Sequence, residues 1–217
     1  MLSFEIQNSP RFAWIYQDGV PRAALWDTVL ATQFGSTVVP SLGSIVPGWT
    51  LTFPRMPSLN LANSADIDRE NVFRAARQAA TVARRFESEV YHFEHGAAGQ
   101  GSLVGCGIDL AHLHTVPLGF DLLSAAIKFG AGYATWTTER LDADLWCSLR
   151  GVEYYLVWKS GSEEAVVGRS LKPTSQFFRR VIADRLGMAE TWDYKTHAFA
   201  ENISLTQKAF AAHDREY

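Results

Sequence analysis

Cysteine is scarce in this chain, with two among 217 residues. Cys106 and Cys147 stand alone, without a Cys-x-x-Cys pair, which excludes a disulfide framework and a structural zinc knot and fits thiols kept reduced. Nor is there a basic excess. Lys and Arg number 20 against 23 Asp and Glu, for a net charge of −3 and a pI near 6.1. Binding to bulk nucleic acid needs clustered cations to displace counterions, so no nucleic-acid partner is expected. No apolar run approaches the ~20 residues that span a bilayer. Met1-Leu2-Ser3-Phe4-Glu5 lacks the charged start and apolar stretch of an export signal. The expectation is a soluble, cytoplasmic protein without a membrane partner. Repeats, low-complexity tracts and Pro/Ser linkers are missing too. A hydrophobic content of 47% suits a single domain over residues 1–217, with a core at about 26–130 and a hairpin-and-helix extension at about 140–217.

Periodicity suggests the elements. Phe12, Trp14 and Tyr16 alternate as on a short strand or arm. Residues 27–32 and 36–40 are β-branched segments joined by Gln33-Phe34-Gly35, and 49–53 follow a Pro47-Gly48 turn, which together read as an antiparallel meander. Ser64-Ala65-Asp66 offers helix caps. From there to about Phe86, Ile67, Val72, Phe73, Ala76, Ala79, Ala80 and Ala83 form an apolar stripe, with Arg69, Arg74, Arg77 and Arg84 on a wet face. A strand at 90–94 and a short helix at 119–129 follow. Residues 152–158 and 165–170, around Lys159-Ser160-Gly161-Ser162, give a hairpin. A helix runs from Pro173-Thr174 to Leu186, stopped by Gly187, and a final helix begins near Asn202. The fold class is therefore α+β, with an antiparallel sheet of five or more strands and helices on one side.

The most informative stretch runs from Phe93-Glu94-His95-Gly96 through a Gly-rich loop to Asp109, and then through Leu110-Ala111-His112-Leu113-His114-Thr115-Val116-Pro117. Read as a strand with period 2, it points residues 110, 112 and 114 to one face. Gly96, Gly99, Gly101, Gly105 and Gly107 let backbone N–H groups turn toward an anion. A phosphate beside two imidazoles permits in-line attack at phosphorus. The bland alternative is a pair of half-buried strand histidines. A second alternative is a His-x-His chelate for zinc or iron, completed by His92, Glu94 or His95.

His-x-His, preceded by an acidic-His-Gly turn and a Gly loop and closed by Thr-Val-Pro, resembles the active-site strand of the histidine-triad (HIT) superfamily. The likeness covers about residues 26–117. It includes Val38-Val39-Pro40-Ser41-Leu42-Gly43 and Val46-Pro47-Gly48-Trp49-Thr50-Leu51-Thr52-Phe53-Pro54-Arg55 as two strands joined by a Pro/Gly turn. Ser175-Gln176-Phe177-Phe178-Arg179-Arg180 is similar to a C-terminal helix of longer bacterial members. On the family pattern His112 falls on the nucleophile and His114 on the third histidine, while Leu110 replaces the first. Trp49 and Pro57 stand where the family commonly has further histidines.

The resemblance implies a HIT-like nucleotide hydrolase or nucleotidyltransferase working at phosphorus on a nucleoside phosphate or conjugate, with no cofactor and no metal, assembled as a homodimer. His112 would attack and His114 would hold phosphate oxygens. Glu94 and His95 would take the place of a polar residue contacting ribose or phosphate. Gln100, Ser102, Gly105, Cys106 and Gly107 would form the phosphate cradle. Leu42, Val46 and Trp49 would form an apolar slot for a base, and Lys172, Gln176, Arg179 and Arg180 would reach toward the anion. Because Leu110 and Trp49 replace polar contacts, a protein that binds a nucleotide without turnover is the alternative. The stretch Trp192-Asp193-Tyr194 suggests no role.

Overall fold

Two residues in the left-handed region, Phe34 (φ 54°) and Gly35 (φ 76°), close the first hairpin, joining β1 (Ala31–Gln33) to β2 (Ser36–Pro40). Such a tight turn matches the right-handed twist of the strands it connects. The computed structural model describes residues 11–17 and 24–215. Beyond that hairpin come β3 (Thr50–Phe53), β4 (Val90–Gly96), β5 (Leu113–Pro117), β6 (Ala134–Arg140), β7 (Tyr154–Lys159) and β8 (Glu164–Ser170). All eight join one antiparallel sheet in the order β1-β2-β3-β5-β4-β7-β8-β6. The class is thus α+β with an antiparallel sheet, as expected, and the predicted 152–170 hairpin continues the sheet through β7 beside β4.

Six α-helices lie among the described residues: α1 (Trp14–Gln17), α2 (Asp66–Ala83), α3 (Leu122–Phe129), α4 (Ala143–Leu149), α5 (Phe177–Arg185) and α6 (Ala200–His213). None is long and apolar enough to cross a membrane. Here the structure corrects the expectation of helices on one side. α2 and α4 pack with Leu113, Leu156 and Val167 on one face of the sheet, whereas α3 and α5 pack with Phe93, Val157 and Val166 on the other. Both faces of the central strands are apolar, so each needs a cover.

Three local expectations also change. Phe12, Trp14 and Tyr16 belong to a turn and the short helix α1, not to a strand. The histidine strand begins at Leu113, so His112 sits on its approach. In α2, Ile67 is 62% exposed while Arg69 is buried. Arg69 turns inward to donate to the carbonyls of Leu61 and Ser64 and to Asp66; the cap position itself is Ala65, whose methyl group can make no capping bond. β6 and α4 lay in a stretch without a predicted element. β6 is a half-exposed edge strand rich in threonine, and α4 is one short turn set capped by Asp142.

Register positions the site. Across the sheet Val39, Leu51, His114, Phe93, Val157 and Val166 are successive partners in one row on one face. His114 is therefore central in a wide sheet, flanked by apolar neighbours.

Candidate functional site

Three imidazoles meet on that face. The His112 and His114 rings lie 4.9 Å apart, and His95, supplied by β4, lies 5.6 Å from His114. They line a small cavity together with Ser41, Leu42, Cys106, Gln176, Arg179 and Tyr194, and Arg11 and Phe12 complete it from the N-terminal segment. The cavity encloses about 30 Å³, room for two or three water molecules where each needs about 10–15 Å³.

Each imidazole has one nitrogen engaged by a group whose role is fixed, and that assigns its tautomer. His112 Nδ1 is 2.7 Å from the Leu110 carbonyl, which can only accept, so Nδ1 carries the proton and Nε2 presents a bare lone pair. Trp49 Nε1–H, a donor only, reaches His114 Nδ1 at 3.0 Å, so the His114 proton is on Nε2. The Phe178 backbone N–H at the start of α5 reaches His95 Nε2 at 3.3 Å, which puts the His95 proton on Nδ1. The cavity thus holds one nucleophilic lone pair and two N–H donors. Burial keeps all three rings neutral: it lowers His112 to about 4, and it pulls His95 and His114 well below the usual histidine range. Among the described residues no group of three His, Cys, Asp or Glu is placed to hold a metal.

Among the described residues, two guanidinium groups and no carboxylate line the cavity. Arg179 is buried and lies over Trp49 at 4.5 Å. It donates to Ser41 Oγ and the Leu42 carbonyl, both at 2.6 Å, and to the Gly43 carbonyl. Burial brings its pKa down to about 10, so it is still a cation at neutral pH.

Comparison with known proteins adds little. No family model matches the chain, and no curated protein matches it. Among solved structures, the chain is similar to a HIT-like protein from Bartonella henselae, described as involved in cell-cycle regulation and crystallised with an unknown ligand. Identity is 19%, the match covers 51% of this chain and 77% of that one, and the TM-score is 0.38. It is the chain's own register, not this partial likeness, that brings the histidines together.

Several residues singled out in the sequence lie elsewhere or are otherwise engaged. Glu94 points through the opposite face of the sheet, where it accepts from Leu61 N–H at 2.7 Å and from Tyr154 O–H at 2.6 Å. Alternation along β4 explains this, since neighbours His95 and Glu94 must face opposite ways. The Gly loop is also turned in on itself. Gly101 N–H donates to Asp109, while Ser102 donates to Glu153 at 2.6 Å and accepts from Val104 N–H. Gln100 and Gly107 are exposed and Gly105 is buried, but none of the three lines the cavity. Cys106 does line it, as a thiol that donates to the Val104 carbonyl and accepts from Gln176 N–H; burial pushes its pKa up.

Of the predicted apolar slot, Leu42 is at the cavity and Val46 is packed in the core. Trp49 is fully buried and acts through its indole N–H on His114. Gln176 clasps Asp193 and Tyr194 N–H. Arg180 covers Trp192 at 3.3 Å, and Lys172 is exposed. The sequence offered no cue for Arg11, Phe12 or Tyr194, because residues from both ends of the chain meet only in three dimensions. Leu110, which replaces the family's first histidine, supplies its carbonyl to His112 and its side chain to an apolar cluster with Phe12 and Phe53.

Proposed function

We propose that this chain is a HIT-like protein whose cavity transfers a phosphoryl-centred group from a nucleoside phosphate or conjugate through His112. The observation that carries the reading is the set of three tautomers: one lone pair on His112 beside N–H donors on His114 and His95, next to buried Arg179 and half-buried Arg11. In the step this supports, His112 Nε2 attacks phosphorus, the new N–P bond forms and the bond from phosphorus to the leaving oxygen breaks. The departing oxygen takes its proton from a donor imidazole or from water, and water or another acceptor then cleaves the N–P bond. His114 and His95 hold the oxygens on which charge develops. Assembly as a homodimer belongs to the same proposal.

His112→Ala should lower turnover by at least about a thousandfold while leaving nucleotide affinity within about tenfold, because the lost interaction belongs chiefly to the transition state. Rapid quench with labelled nucleotide should trap an acid-labile adduct on His112 of the wild type. Near wild-type turnover in His112→Ala would remove the covalent mechanism. A second reading, binding without turnover, is favoured by Leu110 and Trp49, apolar side chains where the family pattern has polar contacts. It takes over if a nucleotide binds tightly and neither protein consumes it.

A further inference from the structure

The described part of the N-terminal segment, residues 11–17, is tied to the cavity by apolar packing. Phe12 lies 4.8 Å from the Phe53 ring and 6.4 Å from the His112 ring, and is 1% exposed. Its polar groups fare worse. Arg11 Nη2, Trp14 Nε1 and Tyr16 Oη are all sealed from solvent without a hydrogen-bond partner. An unmet buried donor costs about 1–3 kcal/mol, more when it is charged, so the docked position sets good packing against three unmet groups.

Of the three, only Arg11 borders the histidine cavity. Its guanidinium lies 5.8 Å from the Tyr194 ring. Across the cavity, Arg179 has its donors satisfied by neutral acceptors, but its charge is not balanced by a bonded carboxylate. Among the described residues the polar lining holds two cations, three neutral imidazoles, Ser41, Cys106, Gln176 and Tyr194, and no carboxylate. Asp27 and Asp193 act on the arginines only from outside that lining, so a neutral ligand would leave the cations facing the cavity unanswered there. An anion with two charges would meet both arginines within the cavity and supply the acceptor that Arg11 Nη2 lacks.

We propose that Arg11 and Arg179 form a two-cation clamp that selects a terminal phosphate carrying two negative charges, and that residues 11–17 are the strap that closes Arg11 onto it. This rests on the nucleotide reading of the cavity and narrows the substrate to nucleotides ending in a phosphate monoester or pyrophosphate. Docking of the strap and occupation of the cavity are then coupled, since each supplies what the other lacks.

The test uses the whole chain and four probes: AMP, its 5′-methyl phosphodiester, inorganic phosphate and pyrophosphate. At pH 8 the AMP phosphate is a dianion, because its second ionisation lies near pH 6, while the methyl ester is a monoanion. Calorimetry of the wild type should show AMP bound at least about tenfold tighter than the ester, as charge-assisted bonds to Arg imply. Arg11→Gln should shrink that preference to less than about threefold, with ester affinity almost unchanged, and Arg11→Lys should restore part of it. Hydrogen exchange at the Ile15 and Tyr16 amides, which donate to Phe12 and Ala13, should slow with AMP in the wild type and not in Arg11→Gln. Arg11 is only half-buried, so a thermal melt within a few degrees of the wild type is expected.

An unchanged preference for AMP in Arg11→Gln, with those amides unaffected, overturns the clamp and leaves the nucleotide reading standing. Binding of phosphate and pyrophosphate as tightly as AMP, lost in Arg11→Gln, supports the clamp and removes the nucleotide. Failure of the wild type to bind any of the four overturns both.

Discussion

The two faces of β4 treat buried polar groups in opposite ways. On the α2 side, Glu94 is met by Leu61 N–H and Tyr154 O–H, and Arg69 by three oxygens. Burial pushes Glu94 up to about 7, against the lowering effect of those bonds. The charged groups there are answered from within the fold, although His92 Nε2 and the Ser36, Thr50 and Thr52 hydroxyls of that face are not. On the α5 side, each of three histidines has one nitrogen engaged and, among the described residues, no partner for the other, with cations nearby. A fold that answers its buried charges on one side of a strand and turns cations and imidazoles toward a cavity on the other separates structure from candidate function within a single strand.

The sharpest way to break that contrast is to remove Glu94. Glu94→Ala strips the acceptor from two buried donors and should cost about 3 kcal/mol of stability, read from urea unfolding, while the folded fraction binds ligand as the wild type does. Ligand binding lost at undiminished stability would move Glu94 into the site.

Acid should sharpen it. His112 and His92 have folded pKa values lowered to about 4 and about 3, and those of His95 and His114 are lowered well below the ordinary value. Unfolding below pH 6.5 therefore takes up protons and becomes easier as pH falls; for His112 the loss between pH 8 and 5 is about 2 kcal/mol. Glu94 works in the other direction. Its raised pKa stabilises the fold at low pH and is lost as pH rises through about 7, which offsets roughly one histidine. The net expectation is a urea midpoint lower at pH 5 than at pH 7.5, and His112→Phe, which keeps an aromatic ring at the site, should flatten that dependence. A midpoint that rises on acidification would contradict the buried neutral histidines.

The smallest effect concerns tautomers. Trp49→Phe keeps most of the ring against Phe93 and removes the donor to His114 Nδ1. It should cost about 1–2 kcal/mol of stability and about tenfold in any turnover. Nitrogen chemical shifts of His114 should pass from a single Nε2–H tautomer to a mixture. A shift unchanged in Trp49→Phe would mean that the indole does not set the proton.

Much of this was legible in the chain. The strand at 90–94, the hairpin at 152–170 and the helices near 66–86 and 174–186 follow from local periodicity and turn chemistry, which act over a few residues. So does the pairing of His112 with His114. The edge strand β6 was not legible, since in Ala134-Thr135-Trp136-Thr137-Thr138-Glu139-Arg140 only Ala134 is buried and the apolar alternation stops after Trp136.

What the sequence by itself determined is the pattern: an α+β chain with an antiparallel sheet and two imidazoles a residue apart after a glycine loop. The tertiary structure alone decided which groups answer which. It brought His95 to His114 by pairing β4 with β5, turned Glu94 away, spent the loop's Gly101 N–H on Asp109, and closed Arg11, Arg179 and Tyr194 over the histidines from distant parts of the chain. The reason is one of range. Strand and helix preferences are set by near neighbours, whereas a proton's place on a ring and the balance of buried charge depend on atoms that only folding brings within a few ångströms.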